Sequence, residues 1–311
     1  MANIDQIQIN VAKGRFTFPL AICSCLLLRL LTASGWEDCL SLLACALTAY
    51  ALIETNTAFT LIRTRTTLDV SLYIILSTLT TFFTPYSPTL WVVPLLLLAH
   101  FALFRSYESH DGSSSIFHAF LFLSIGSLLF PPLLWLSPLL FIGMGCFRSF
   151  HTRSFFAAWI GLAVPYWFSF GYHFLTHNLE PFYRQVEALM TWEPLHYSRL
   201  GFPVLLFGTA ILVMTALSSI HYLLVSYQDK TRTRLFLSYL VGLEALLTLF
   251  GVLQPTRFEV ALQLLLLPSS VLTAHLFTLT RNRFSGIYFL CIFAGLIILT
   301  LLFVWMQFFN S

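Results

Sequence analysis

This sequence predicts an all-α polytopic bundle of about eleven transmembrane helices, and three observations carry the prediction. Of 311 residues, 58% are hydrophobic and only 9% charged, with a mean hydropathy of +0.83. That leaves too little polar surface to coat a soluble domain of this length. Apolar runs recur at 16–34, 37–60, 68–84, 88–105, 115–130, 132–148, 154–175, 200–226, 233–252, 258–280 and 284–308, separated by short polar turns. Finally, the basic residues alternate from turn to turn, as a serpentine path through a membrane requires.

Taken in order, the opening MANIDQIQINVAKGRF is basic and amphipathic and has no small-residue cleavage site before the first apolar run. It reads as a cytoplasmic tail over 1–15 followed by an uncleaved span, within a single integral membrane domain, 1–311. With eleven spans, Lys13, Arg15, Arg63, Arg65, Arg105, Arg148, Arg153, Lys230, Arg232, Arg234, Arg281 and Arg283 fall on one side. Arg184, Arg199 and Arg257 fall on the other, and Arg29 lies inside a span. The positive-inside rule then makes the amino terminus cytoplasmic and sends Ser311 and Gln185 outside. The inner bases need no nucleic-acid partner, because topology and anionic lipid explain them. Cys23, Cys25, Cys39, Cys45, Cys146 and Cys291 sit in or at the edge of apolar runs. They read as packing residues, with neither a disulfide framework nor a zinc site, and no cofactor is implied.

The stretch SPTLWVVPLLLLAHFALFRSY (87–107) recurs as PPLLWLSPLLFIGMGCFRSF (131–150), with Pro88, Trp91 and Pro94 matched by Pro132, Trp135 and Pro138. Each copy closes a helical hairpin, 68–105 and 115–148, so the pattern predicts tandem up-down units rather than an inverted repeat. Pro94 and Pro138 are expected one to two turns inside their helices, where they would loosen or bend them.

Ionisable groups at membrane depth are costly unless paired or hydrated, so they point to function. Glu244, mid-span beside Gly242, is expected to face the bundle interior with a hydrogen-bonding partner. Arg29 either reaches the outer headgroups, pairs with an acid such as Glu37 or Glu244, or holds a phosphate. For Glu54 and Asn56, near Arg63 and Arg65, a local ion pair is the simplest account. His100, His221 and His275 read as packing residues.

The one sizeable polar loop, 176–199, is expected outside. His173 and His177 stand four apart at the end of the preceding span, on one helical face, with Glu180 a turn later; the spacing suits metal ligation, but interfacial packing is favoured and no metal is assigned. From Pro181 to Trp192 the apolar residues Phe182, Val186, Leu189 and Met190 recur at helical spacing opposite Arg184, Gln185 and Glu187. This predicts a short amphipathic helix in the outer interface. Arg29, Glu37, Asp38, His173, His177, Glu180, Arg184 and Trp192 are the candidates for an outward-opening binding groove.

The order of Asn56, RTRTTL (63–68), YSP (86–88), LFPPLL (129–134), VPYWF (164–168) and YHFLTHNLEPFY (172–183) resembles a family of uncharacterised multi-pass inner-membrane proteins of the Bacteroidota. The resemblance implies a helical membrane fold and a bacterial inner-membrane location. More remotely, the chain is similar to the membrane scaffold of C-type glycosyltransferases that use polyprenyl-phosphate sugars. There an acid in the first outer loop is required, and Glu37 and Asp38 in GWEDCL stand in that place. The loop here is only a tight turn and no outer domain follows, so the sequence favours a non-catalytic envelope-biogenesis accessory or scaffold that binds a protein partner or lipid-linked intermediate at its outer face. A glycosyltransferase, and a transporter or flippase using Glu244, are the alternatives.

Overall fold

An apolar segment in lipid satisfies its backbone by hydrogen bonding to itself, which makes it a helix. The computed structural model describes residues 2–14, 16–32, 35–84, 86–109, 111–191, 197, 200–280 and 282–309, and among them there is no strand. The helices are α1 (Ala2–Lys13), α2 (Thr17–Thr32), α3 (Trp36–Phe59), α4 (Leu68–Thr80), α5 (Val92–Arg105), α6 (Ser113–Leu129), α7 (Ser137–Cys146), α8 (Thr152–Leu175), α9 (Glu180–Met190), α10 (Phe202–Val225), α11 (Thr231–Leu253), α12 (Phe258–Leu279) and α13 (Arg283–Phe309). Every apolar run is helical. Among the described residues seven stretches are long and apolar enough to cross a membrane: Trp36–Phe59, Pro88–Arg105, Thr152–Leu175, Phe202–Gln228, Thr231–Leu253, Pro255–Leu279 and Arg283–Gln307. Four apolar helices are shorter, at 17–31, 68–80, 113–129 and 131–146.

The chain divides into two compact units, one made of residues 1–87 and 195–311, the other of residues 88–194. In the first unit α12 is the central helix, with α11, α10, α4, α1 and α13 packed around it. Small and hydroxylated residues make this possible, since two helices in lipid gain contact only by close approach and polar bonds. Thr215 of α10 bonds Ser269 of α12 at 3.0 Å, and Ser218 bonds Thr273 at 2.8 Å. A Cβ at Gly208 would stand 2.6 Å from the Phe258 ring, so only glycine lets that ring seat against α10. The segment expected as a tail forms α1, and its buried Gln8 donates to the carbonyls of Phe277 at 2.8 Å and Thr280 at 3.0 Å, while Ser285 Oγ donates to Gln8 Oε1 at 3.2 Å. That satisfies carbonyls which the end of α12 leaves without helical partners. On the opposite side α2 and α3 each pack on α4.

In the second unit α6 packs between α5 and α8. Helix α8 buries only Ser154, Ala158, Gly161 and Pro165, a stripe of small residues at helical spacing. At Gly161 a Cβ would meet the Phe117 carbonyl oxygen at 2.6 Å, which measures how closely the two backbones approach. Ser124 Oγ donates to the Leu162 carbonyl at 2.7 Å, in the turn that Pro165 interrupts. The aromatic remainder of α8, including Phe156, Trp159, Trp167 and Phe168, is exposed.

The two proline-rich copies each open as a 3-10 turn, Pro88–Trp91 and Pro131–Leu136, before continuing as α5 and α7. This corrects the expectation for Pro94 and Pro138. The α-helices start late, so both prolines fall in a first turn, where the missing N–H has no partner to lose. Helix α4, expected to form a hairpin with 88–105, takes α12, α2 and α3 as its neighbours in the first unit.

Candidate functional site

The most fully built polar concavity lies in the first unit, where the chain passes from α3 to α4. Helix α3 ends because Thr60 turns into the left-handed region, φ 49° and ψ 50°, which a β-branched residue rarely adopts. Several bonds hold it there. Its N–H donates to the Asn56 carbonyl at 2.8 Å, and Thr233 Oγ1 of α11 donates to its own carbonyl at 3.3 Å. Asn56 Oδ1 accepts from the Ile62 N–H at 3.1 Å. Thr66 Oγ1 donates to the Ala12 carbonyl of α1 at 2.6 Å and accepts from the Leu68 N–H at 3.1 Å. Backbone strain that surrounding contacts maintain is a common mark of a working site.

This tethered connection walls a cavity of about 800 Å³ whose lining includes Gly14, Phe18, Ile53, Asn56, Thr60, Arg63, Thr64, Arg65, Thr66, Thr67 and Asp69. Arg63 and Arg65 are exposed. Asp69 is 1% exposed; its carboxylate has only the Asn56 side chain and the Val70 and Asp69 backbone N–H groups for company, none of them in good hydrogen-bond geometry. Two guanidinium groups and a set of hydroxyls are a phosphate- or carboxylate-binding chemistry, because each guanidinium presents a planar fork of donors. Asp69 adds the opposite requirement, a donor to fill its acceptor sites.

The outward candidates are distributed differently. Arg29 is 7% exposed, and its Nη1 donates to Ser41 Oγ of α3 at 2.7 Å. Its guanidinium is therefore held inside the unit. Asp38 accepts from the Gly35 N–H at 3.1 Å and so caps the start of α3, while Glu37 is exposed. In the second unit, α8 ends at Leu175 and His177 stands in the left-handed region at φ 52°. The helical face expected for His173 and His177 does not exist, because the turn that redirects the chain into α9 falls between them. Among the described residues there is no cluster of three or more potential metal-ligating side chains.

The expected amphipathic helix is α9. Its Gln185 donates to the Leu128 carbonyl at 2.7 Å, and the Trp135 indole donates to the Leu189 carbonyl at 3.1 Å, which fastens it to the end of α6 and the following 3-10 turn. Arg184 pairs with Glu180 one turn away on the same helix. Trp192 lies outside the described residues. Arg29, Glu37 and Asp38 thus belong to the first unit, and His173, His177, Glu180 and Arg184 to the second.

Glu244 is 1% exposed and accepts a short hydrogen bond from Ser219 Oγ of α10, the interior placement its depth requires. In the same unit, His275 Nε2 and Asp229 Oδ2 are 2.9 Å apart with both side chains buried. Glu54 is exposed, and among the described residues no ion pair joins it to Arg63 or Arg65. The expected local pair fails because Asn56 bonds to the connection's backbone, while the arginines line the cavity.

Asp69 and the threonines were not singled out from sequence. The available signal was their density, with two arginines, three threonines and an aspartate between positions 63 and 69. Neither a protein-family model, nor a curated protein, nor a solved structure matches the chain.

Proposed function

We propose that this chain is an eleven-span protein of the bacterial inner membrane, amino terminus cytoplasmic, that binds an anionic, phosphate-bearing ligand without transforming it, as an accessory or scaffold in envelope assembly. The observation that carries this reading is the α3–α4 cavity, with Arg63 and Arg65 at its wall, hydroxyls between them and a strained, tethered backbone around it. The four shorter apolar helices complete the span count, and twelve of the sixteen basic residues then share the cytoplasmic side. On that topology, binding is at the inner end of α3. The outward set is weaker support for a groove, because its members are divided between two units. The use of Asp38 as a helix cap favours binding over glycosyl transfer. A second reading, ion- or proton-coupled transport through Glu244, is favoured by its complete burial against the hydroxyl of Ser219.

Binding of soluble glycerophosphoethanolamine to the purified protein, measured by isothermal calorimetry, tests the proposal. The expected result is saturable binding that weakens with salt and falls at least tenfold in the double variant Arg63→Gln, Arg65→Gln, about 1.4 kcal/mol. Equal binding by wild type and variant would remove the site. Topology is checked by impermeant labelling of single cysteines in intact cells, with position 185 labelled and position 113 protected.

A further inference from the structure

Beside the anion cavity lies a second, apolar depression. Helices α2 and α3 both pack on α4, and the groove left between them has a volume of about 290 Å³ and is floored by Ile74 of α4. Its walls are apolar stripes at helical spacing, Phe18, Ile22 and Leu26 on α2 and Leu42, Ala46, Ala49 and Ile53 on α3. Phe18 and Ile53 line both the groove and the polar cavity, so the two are adjacent. Along α3 one stripe runs from Leu42 to Ile53 as groove and from Asn56 to Thr60 as cavity. Just beyond Leu26 and Leu42 the bond between Arg29 and Ser41 joins the two helices, where the groove ends.

We infer that the occupant of this composite site is a phospholipid whose headgroup carries an N–H or O–H donor, with its phosphate at Arg63 and Arg65, the headgroup donor on Asp69, and one acyl chain lying in the groove between α2 and α3. The inference rests on the anion-binding reading above and names the class of ligand. Length supports it. From Leu42 to Ile53 the groove follows eleven residues of helix, roughly 16 Å at 1.5 Å per residue. One leaflet of hydrocarbon is about 15 Å deep, half the core of a bilayer. The groove is therefore as long as a chain confined to one leaflet, and its polar end stands where a headgroup belongs.

Charge supports it further. A simple anion would be served by the arginines and opposed by the buried carboxylate of Asp69, whereas a headgroup with both phosphate and a donor satisfies both. An acyl chain fits any lipid-facing groove equally well, so selectivity comes from the polar end. The side-chain oxygens of Asp69 make no well-formed hydrogen bond within the protein, only poorly aligned contacts with the Asn56 side chain and backbone N–H groups, and so keep acceptor capacity for that donor.

The test compares dioleoyl phosphatidylethanolamine, its choline counterpart, which has no N–H, and soluble glycerophosphoethanolamine on the purified full-length chain. Native mass spectrometry reads the two lipids and calorimetry the soluble headgroup. The ethanolamine lipid is expected to bind about tenfold more tightly than the choline lipid, and Asp69→Asn to narrow that preference. Ala46→Trp fills the groove from an exposed position, and Leu26→Trp fills it from the other wall. Each should weaken the long-chain lipid about tenfold and leave glycerophosphoethanolamine unchanged. Whichever of the two retains the wild-type melting temperature is decisive.

If glycerophosphoethanolamine binds and depends on Arg63 and Arg65, but the groove variants leave long-chain lipid unaffected, the anion site stands and the lipid inference is overturned. If the choline lipid binds as tightly as the ethanolamine lipid, the role given to Asp69 falls. If nothing binds through the arginines, both readings fail.

Discussion

Helices α12 and α13 follow one another in the chain and are of similar length, yet they meet opposite surroundings. Of the membrane-length window in α12, 94% is buried, against 22% in α13. The more hydropathic of the two is the exposed one. In a water-soluble protein this order would be inverted. In lipid, apolar surface gains nothing by leaving the solvent, so the more apolar helix faces outward and the helix carrying Gln263, Ser269, Ser270, Thr273, His275 and Thr278 is drawn to the centre. On α12, Ser269 and Thr273 bond across to Thr215 and Ser218 of α10, whereas Thr300 of α13 donates back to its own helix at Leu296.

The largest effect that should break this contrast is His275→Leu. It leaves the buried carboxylate of Asp229 without its 2.9 Å partner and should cost about 3–5 kcal/mol, read as a lowered melting temperature in detergent. The double change with Asp229→Leu should recover much of that loss, because two apolar groups need no partners. Next, Ser270→Trp forces bulk into a fully buried position of α12 and should cost about 1–3 kcal/mol. The matching change Ile298→Trp in α13 should stay within about 0.5 kcal/mol, since that side chain is exposed. Smallest, Thr215→Val removes one interhelical bond and should cost about 0.6 kcal/mol, while Thr300→Val should be neutral. Equal losses at matched positions would mean that burial does not distinguish the two helices.

Much of the architecture was legible because membrane depth imposes simple demands on composition. The eleven apolar runs are all helical, α9 lies where the spacing of Phe182, Val186 and Leu189 placed it, and Glu244 has the interior position its charge requires. What failed were inferences that assumed a helix continues. His173 and His177 share a face only if α8 extends past Leu175, and Pro94 and Pro138 bend a helix only if α-helix begins at the preceding prolines. Ser41, the partner that Arg29 takes on α3, was not among the fates its sequence suggested, because their proximity depends on how α2 and α3 pack on α4.

The sequence by itself determined the class of environment and the helical register, because both follow from local composition and the obligation of each backbone group to bond within its segment. Only the tertiary structure decided which helix became the centre and where a cavity formed. Those outcomes depend on contacts between residues far apart in the chain, such as Thr233 with Thr60, Thr66 with Ala12 and Gln8 with the end of α12. Arg63, Arg65 and Asp69 read as an ordinary basic turn until those contacts hold the connection around an 800 Å³ space.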